Sequence, residues 1–184
     1  MLLIEGTTAR GQSRVITIMS PLPHEGRSQL VAELAIAFSQ LGRRTLLIDA
    51  DLRNPKQHEL FRIDNDAGLV EALALPDPPQ LHPVEGMPYL AILNSGHIPP
   101  NPIELLSDDR LSKLVMNLRS TYEFIVIDTP PVSKYADGLT VAAVAGEVLV
   151  VSRAQHTGQK EMRSLLKRMG STRAQVLGAI LNHF

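Results

Sequence analysis

The stretch RVITIMS-PLPHEGRS-QLVAELAIAFSQL, residues 14–41, decides the fold of this chain. Its first part is apolar and rich in β-branched residues, which predicts a buried strand. Two prolines and a glycine in the second part predict a loop. The third part predicts a helix that begins near Ser28, because apolar residues recur there at helical spacing, at Leu30, Leu34, Ala37, Phe38 and Leu41.

The loop between this strand and helix has the layout of a phosphate-binding loop. In such loops the backbone N–H groups and the positive end of the helix dipole point at the anion. The consensus is G-x-x-x-x-G-K-[ST], and the chain has Pro21, Gly26, Arg27 and Ser28 at the four fixed positions. Since only Gly26 and Ser28 match, an ordinary strand-to-helix turn is an equally good interpretation of these residues alone.

Composition limits the remaining possibilities. A length of 184 residues suits one domain with a real core, so we expect a single domain over residues 1–184. The net charge of −1 gives no reason to expect nucleic acid as a partner. The absence of cysteine excludes disulfides and thiolate metal sites. No apolar run reaches the roughly 18 residues of a spanning helix, and residues 1–13 lack the features of a signal peptide.

Acidic residues follow the second predicted strand, at 45–48. Asp49 and Asp51 come directly after it and point the same way if the chain is extended. In an open α/β sheet, ligands bind outside the carboxyl ends of the strands. Paired carboxylates there are suited to holding a cation or accepting a proton. The alternative is a polar loop with a local ion pair between one of these aspartates and Arg53.

Asp128 ends the apolar strand predicted at 124–127 in the same manner, and Thr129-Pro130-Pro131 follow it. A lone Asp in that position is typical of a magnesium-binding Walker B element, although Asp-Thr-Pro is also a common turn. Further strands are predicted at 89–93, 147–151 and 175–181, and helices at 56–61, 68–75, 105–122, 136–145 and 158–169, with a proline-rich loop at 76–88.

Alternating strands and helices predict an α/β fold, with a mostly parallel twisted sheet and helices on both faces. Right-handed crossovers place all the strand carboxyl ends on one edge of such a sheet. We therefore expect the loop at 20–28 to share that edge with Asp49, Asp51 and Asp128.

Four stretches together resemble the bacterial tyrosine kinases, whose cytoplasmic ATPase domain has a P-loop fold. LLIDADLR at 46–53 is similar to the family's Walker A′ motif and IVIDTPP at 125–131 to its Walker B motif. SPLPHEGRS at 20–28 resembles a Walker A motif in which the family usually has P-G-E-G-K-[ST], and GHIPPNPIELL at 96–106 resembles P-P-N-P-x-E-L-L. The similarity extends from about Val15 to Asn182.

This resemblance implies an ATP-binding tyrosine autokinase that regulates exopolysaccharide or capsule chain length, with ATP or ADP and Mg²⁺ as cofactors. It implies three overlapping sets of site residues. The catalytic residues are Asp49, Asp51 and Arg27; the nucleotide-binding residues are Pro23, His24, Glu25, Gly26, Arg27, Ser28, Gln29 and Asn182; the metal ligands are Ser28, Asp49, Asp51 and Asp128.

The family also implies a membrane polysaccharide copolymerase as partner, self-association, and a position in the cytoplasm at the inner face of the membrane. The family's tyrosine-rich tail and N-terminal assembly helix are not recognisable in the sequence, so a monomer or weak dimer is as consistent with it as a ring.

Three departures from the Walker A pattern predict weakened nucleotide binding or catalysis. Arg27 replaces a compact ammonium with a planar fork. His24 stands where glycine is usual, which is strained if that position needs a positive φ. Pro21 removes one backbone N–H from the loop. Two alternatives therefore stay open: a partitioning-type switch ATPase without kinase activity, and a non-catalytic binding relative.

Overall fold

The computed structural model describes residues 13–183. The structure does not describe residues 1–12 or Phe184. The prediction that no signal peptide is present and the expected domain boundaries at 1 and 184 both fall on these residues. Within the described part, none of the helices combines the length and apolar character needed to cross a membrane.

Strands and helices alternate through most of the described chain. The strands are β1 Arg14–Met19, β2 Thr45–Asp49, β3 His82–Val84, β4 Met87–Leu93, β5 Phe124–Asp128, β6 Glu147–Arg153 and β7 Gln175–Asn182. The helices are α1 Arg27–Gln40, α2 Gln57–Phe61, α3 Leu69–Ala74, α4 Pro102–Ser107, α5 Asp109–Leu118, α6 Asp137–Ala145 and α7 Gln159–Met169.

These strands form one sheet in the order β3-β4-β2-β5-β1-β6-β7. Every neighbouring pair is parallel except β3 and β4, which are antiparallel. The predicted mostly parallel sheet is confirmed. Asp49 is the register partner of Asp128, and Asp128 is also paired with Ile18 of β1. The strand ends that carry the acidic residues therefore meet at the middle of one edge.

Apolar residues cover both faces of the sheet because alternate strand residues point to opposite sides. Ile48 and Ile127 pack on one face, with α3, α5 and α6. Leu47 and Val126 pack on the other face, against α1. Burial on both faces explains why the central strands are continuous apolar runs that become polar only at their carboxyl ends.

Two features differ from the sequence-based expectations. Part of the loop predicted at 76–88 forms β3, a short edge strand in which Pro83 is tolerated because the strand has a neighbour on one side only. The single helix predicted at 105–122 is two helices, because Asp108 is extended (φ −71°, ψ 148°). Its carboxylate accepts a hydrogen bond from the N–H of Arg110 and caps α5.

Gly68 lies where α3 meets the turn after β4. A Cβ atom built there would be 2.2 Å from the carbonyl oxygen of Asn94 and 2.5 Å from the backbone nitrogen of Gly96. We expect Gly68→Ala to lower the free energy of unfolding by about 3 kcal/mol, because backbone atoms must move to admit the methyl group. Urea unfolding measures the change.

Gly178→Ala is the matched control, since a Cβ atom at Gly178 would meet nothing within 4 Å. This control is expected to change stability by less than about 1 kcal/mol. Equal effects of the two substitutions would contradict the close approach at Gly68.

Candidate functional site

The loop between β1 and α1 presents backbone N–H groups at the start of a helix. Gly26 is the N-cap residue in the left-handed region (φ 77°), and no side chain caps the helix. The N–H groups of the first turn have no partner within the helix. They and the positive end of the helix dipole make the start of α1, at Arg27, Ser28 and Gln29, suitable for an anion.

Contacts from other elements hold this loop in shape. Glu25 is buried, and its carboxylate accepts hydrogen bonds from the N–H of Leu22 (2.9 Å) and the hydroxyl of Thr157. Asn182 donates its amide N–H to the carbonyl of Glu25 (3.1 Å). The side chains of Glu25 and Asn182, both predicted to bind nucleotide, therefore bind the loop itself.

The other predicted loop residues lie at its surface. His24 is exposed and has φ 61°, so the condition under which a residue other than glycine is strained at that position is met. The carbonyl of Pro23 lies 3.3 Å from His156 Nε2. Gln29 is exposed and donates a hydrogen bond to Glu33.

Arg27 joins the loop to the acidic strand ends through its guanidinium group. Nε donates to Oδ1 of Asp128 (2.8 Å), Nη2 to Oδ2 of Asp51 (3.0 Å) and Nη1 to the hydroxyl of Ser20 (2.8 Å). Only 8% of the Arg27 side chain is exposed, so these ion pairs are buried. Removing one partner of a buried pair leaves an uncompensated charge, which typically costs about 3–5 kcal/mol.

Asp49 is fully buried and is held by backbone groups instead of a cation. Oδ1 accepts from the N–H of Asp51, and Oδ2 accepts from the N–H groups of Lys56 and Gln57 (3.0 Å each). Burial, together with the neighbouring Asp128, raises the pKa of Asp49 to about 7 against the opposing backbone hydrogen bonds. Burial also raises the pKa of Asp51, although Arg27 opposes that shift.

The oxygens that would bind a divalent cation are already engaged by hydrogen-bond donors. Each of the six oxygens of Asp49, Asp51 and Asp128 already accepts at least one hydrogen bond. Among the described residues no group of three or more His, Cys, Asp or Glu side chains is arranged to hold a metal ion. A divalent cation does not fit this arrangement unless Arg27 moves. Metal binding by Ser28 and the three aspartates stays a prediction.

Gln57 is a site residue that sequence reasoning missed. It is fully buried, and its Nε2 donates to Oδ2 of Asp128 (2.8 Å) and to the carbonyl of Ser28 (3.0 Å). Its amide oxygen is buried without a hydrogen-bond partner. A single Gln at the start of a short helix carries no signal for this role, because only the packing of α2 against α1 brings it to Asp128.

The local ion pair considered for Arg53 and a neighbouring aspartate does not form, since the Arg53 side chain pairs with neither Asp49 nor Asp51. Arg53 pairs with Asp137 (2.7 Å), and its guanidinium lies 4.1 Å from the centre of the Tyr135 ring. Only the backbone N–H of Arg53 contacts Asp51. The guanidinium that neutralises Asp51 is that of Arg27, which is 24 residues away in sequence.

The positive φ of His24 gives a stability prediction. An L-residue in the left-handed region costs about 1 kcal/mol relative to glycine. We expect His24→Gly to be about 1 kcal/mol more stable than His24→Ala, which removes the imidazole but keeps the strained Cβ atom. Urea unfolding of both variants checks this, and equal stabilities would contradict the strain.

The raised pKa of Asp49 gives a pH prediction. The folded state holds a proton up to about pH 7, whereas the unfolded chain releases it near pH 3.8, the ordinary pKa of an aspartate. Stability therefore falls as the pH rises between those values and levels off above about 7. In Asp49→Asn this decline is expected to be shallower. Asp66→Asn, at an exposed carboxylate, is the control, and an unchanged slope in Asp49→Asn would refute the assignment.

Comparison with known sequences identifies relatives along nearly the whole chain. The tyrosine-protein kinase YwqD of Bacillus subtilis is 36% identical over 181 residues, which cover 97% of this chain and 76% of that protein. The tyrosine-protein kinase Etk of Escherichia coli is 32% identical over 174 residues, covering 93% of this chain but only 24% of its own length. No protein-family model matches the chain.

Solved structures give the same result. The chimerical protein CapA2B2 has a TM-score of 0.89 at 33% identity, covering 98% of this chain and 79% of its own. The kinase domain of Escherichia coli Etk has a TM-score of 0.88 at 30% identity, and the match covers 95% of this chain and 69% of that domain's chain. The Pyrococcus horikoshii septum site-determining protein MinD, at 22% identity and TM-score 0.75, shares the fold. These similarities show that the chain belongs to the bacterial tyrosine-protein kinase family.

Proposed function

We propose that the chain is an ATP-binding protein-tyrosine kinase domain that regulates exopolysaccharide or capsule biosynthesis and chain length. The observation that carries the proposal is the convergence of Arg27, Asp49, Asp51 and Asp128 beside an uncapped helix start at one sheet edge. The family supplies the reaction class, since its named relatives are tyrosine-protein kinases.

In this proposal, residues 23–29 hold the phosphates of ATP or ADP. The first-turn N–H groups of α1 donate to phosphate oxygens, and the helix dipole adds a favourable field. Gly26 lets the backbone approach the anion without a side chain in between. The loop keeps this shape because Glu25 and Asn182 fix it from within the protein.

Asp49 and Asp51 are the proposed proton acceptors for the substrate hydroxyl. A tyrosine must lose its phenolic proton as the new bond to phosphorus forms, and a base with a pKa near neutral serves this best. Burial raises the pKa of both carboxylates towards that range.

A second candidate function is that of a non-catalytic binding module of the same family. The observation that favours it is the engagement of Arg27, whose guanidinium contacts Asp51, Asp128 and Ser20. In a Walker A motif the cation at this position meets the outer phosphates instead. Phosphoryl transfer depends on positioning and charge neutralisation, so this engagement is expected to weaken it.

The proposed partner is a membrane polysaccharide copolymerase, which would hold the domain at the inner face of the cell membrane, with self-association as a further property. The support is the likeness to the chimerical protein CapA2B2 and to Etk. Co-purification of the tagged chain with a copolymerase encoded beside it, from detergent-solubilised membranes, tests this proposal. Recovery of the chain without any such partner would count against it.

Arg27→Lys tests the kinase assignment. We expect the wild-type chain to bind ATP and ADP in calorimetric titration and to transfer labelled phosphate to tyrosine slowly. The lysine variant is expected to transfer it at least about tenfold faster, because a compact ammonium can reach the phosphates. Arg119→Lys, at an exposed residue after α5, is the matched control and is expected to have no effect.

The outcomes separate the two candidates. Nucleotide binding without transfer in either protein would support the non-catalytic module. No binding of ATP or ADP to either protein would refute the nucleotide site itself.

A further inference from the structure

Asp128 has both carboxylate oxygens held by side chains from different helices. Arg27, the first residue of α1, donates to Oδ1 at 2.8 Å. Gln57, the first residue of α2, donates to Oδ2 at 2.8 Å. The backbone N–H of Thr129 adds a second hydrogen bond to Oδ1. The carboxylate is fully buried and accepts three hydrogen bonds, each from a different direction.

The orientation of the Gln57 amide is fixed by its two acceptors. Nε2 faces Asp128 and the carbonyl of Ser28. If the amide were turned over, its oxygen would face two oxygen atoms and repel both. The protein instead leaves that amide oxygen buried without a partner. The hydrogen bond from Nε2 to Asp128 therefore fixes the orientation of the Gln57 side chain.

Arg27 supplies the positive charge that a cation would otherwise supply. Its guanidinium bridges Asp51 and Asp128 and is itself buried. This single positive charge offsets one of the two negative charges and so reduces their repulsion of an incoming polyphosphate. The first-turn N–H groups of α1 are not part of this network and stay open to the anion.

We propose that Arg27, held in place through Gln57 and Asp128, substitutes for the divalent cation, so that this site binds a nucleoside polyphosphate without requiring a metal. The inference rests on the proposed nucleotide site and extends it to the cation requirement. A divalent ion that binds both Asp51 and Asp128 must compete with a buried guanidinium that already donates to one oxygen of each. Arg27 and Gln57 are positioning residues in this account.

The test is calorimetric titration of the full chain with ATP, once in excess magnesium chloride and once in excess EDTA. For the wild-type chain, the two dissociation constants are expected to agree within about threefold. In Arg27→Lys a compact ammonium cannot bridge two carboxylates and a hydroxyl, so oxygens are freed for metal. That variant is expected to bind ATP at least about tenfold more tightly with magnesium than without it.

Gln57→Leu gives a second, independent variant. It frees Oδ2 of Asp128 while keeping Arg27, and we expect an intermediate magnesium dependence. Gln40→Leu, the same change at the exposed end of α1, is the matched control and is expected to behave as wild type. Titration with manganese chloride alone is the second readout: binding is expected in Arg27→Lys and not in the wild-type chain.

The results distinguish this inference from the proposed function. Wild-type binding that is tenfold or more tighter with magnesium overturns the inference alone and leaves the nucleotide site standing. No binding in either buffer overturns both. If Gln57→Leu does not fold, as judged by thermal unfolding, the comparison of wild type with Arg27→Lys still decides the question.

Discussion

The parallel pairing of β2, β5 and β1 is the constraint on which the site depends. Register places Asp49 beside Asp128 and Asp128 beside Ile18, so two acidic strand ends and the loop after β1 meet at the middle of one edge. Both sheet faces are covered by apolar side chains, which puts these carboxylates in a setting that water reaches poorly. Because several buried carboxylates lie close together there, they need hydrogen-bond donors and a positively charged side chain nearby.

Those requirements explain the hydrogen bonds observed around the acidic residues. Asp49 is satisfied by backbone N–H groups alone, and its pKa rises because burial and Asp128 disfavour the charged form. Asp51 and Asp128 receive the guanidinium of Arg27, whose planar fork can reach both at once. The same network that stabilises the sheet edge also controls which ions can approach it.

Much of this arrangement could be predicted from local sequence. Apolar strands that end in acidic residues predicted the shared edge for Asp49, Asp51 and Asp128. A glycine is usual at the position of His24, which left open whether φ is positive there, and the structure gives φ 61°. Contacts between residues far apart in sequence could not be predicted. Gln57 reaches Asp128 across 71 positions, and Thr157 reaches Glu25 across 132. The break at Asp108 was missed because apolar periodicity continues through it.

By itself, the sequence determined the α/β class, the order of most elements and the chemistry available at their ends. Those properties follow from the spacing of apolar residues and from turn residues, which act over a few positions. The tertiary structure decided what the charged groups do. Arg27 contacts carboxylates and a hydroxyl, and Glu25 and Asn182 fix the loop, because packing brings partners together that no local pattern connects.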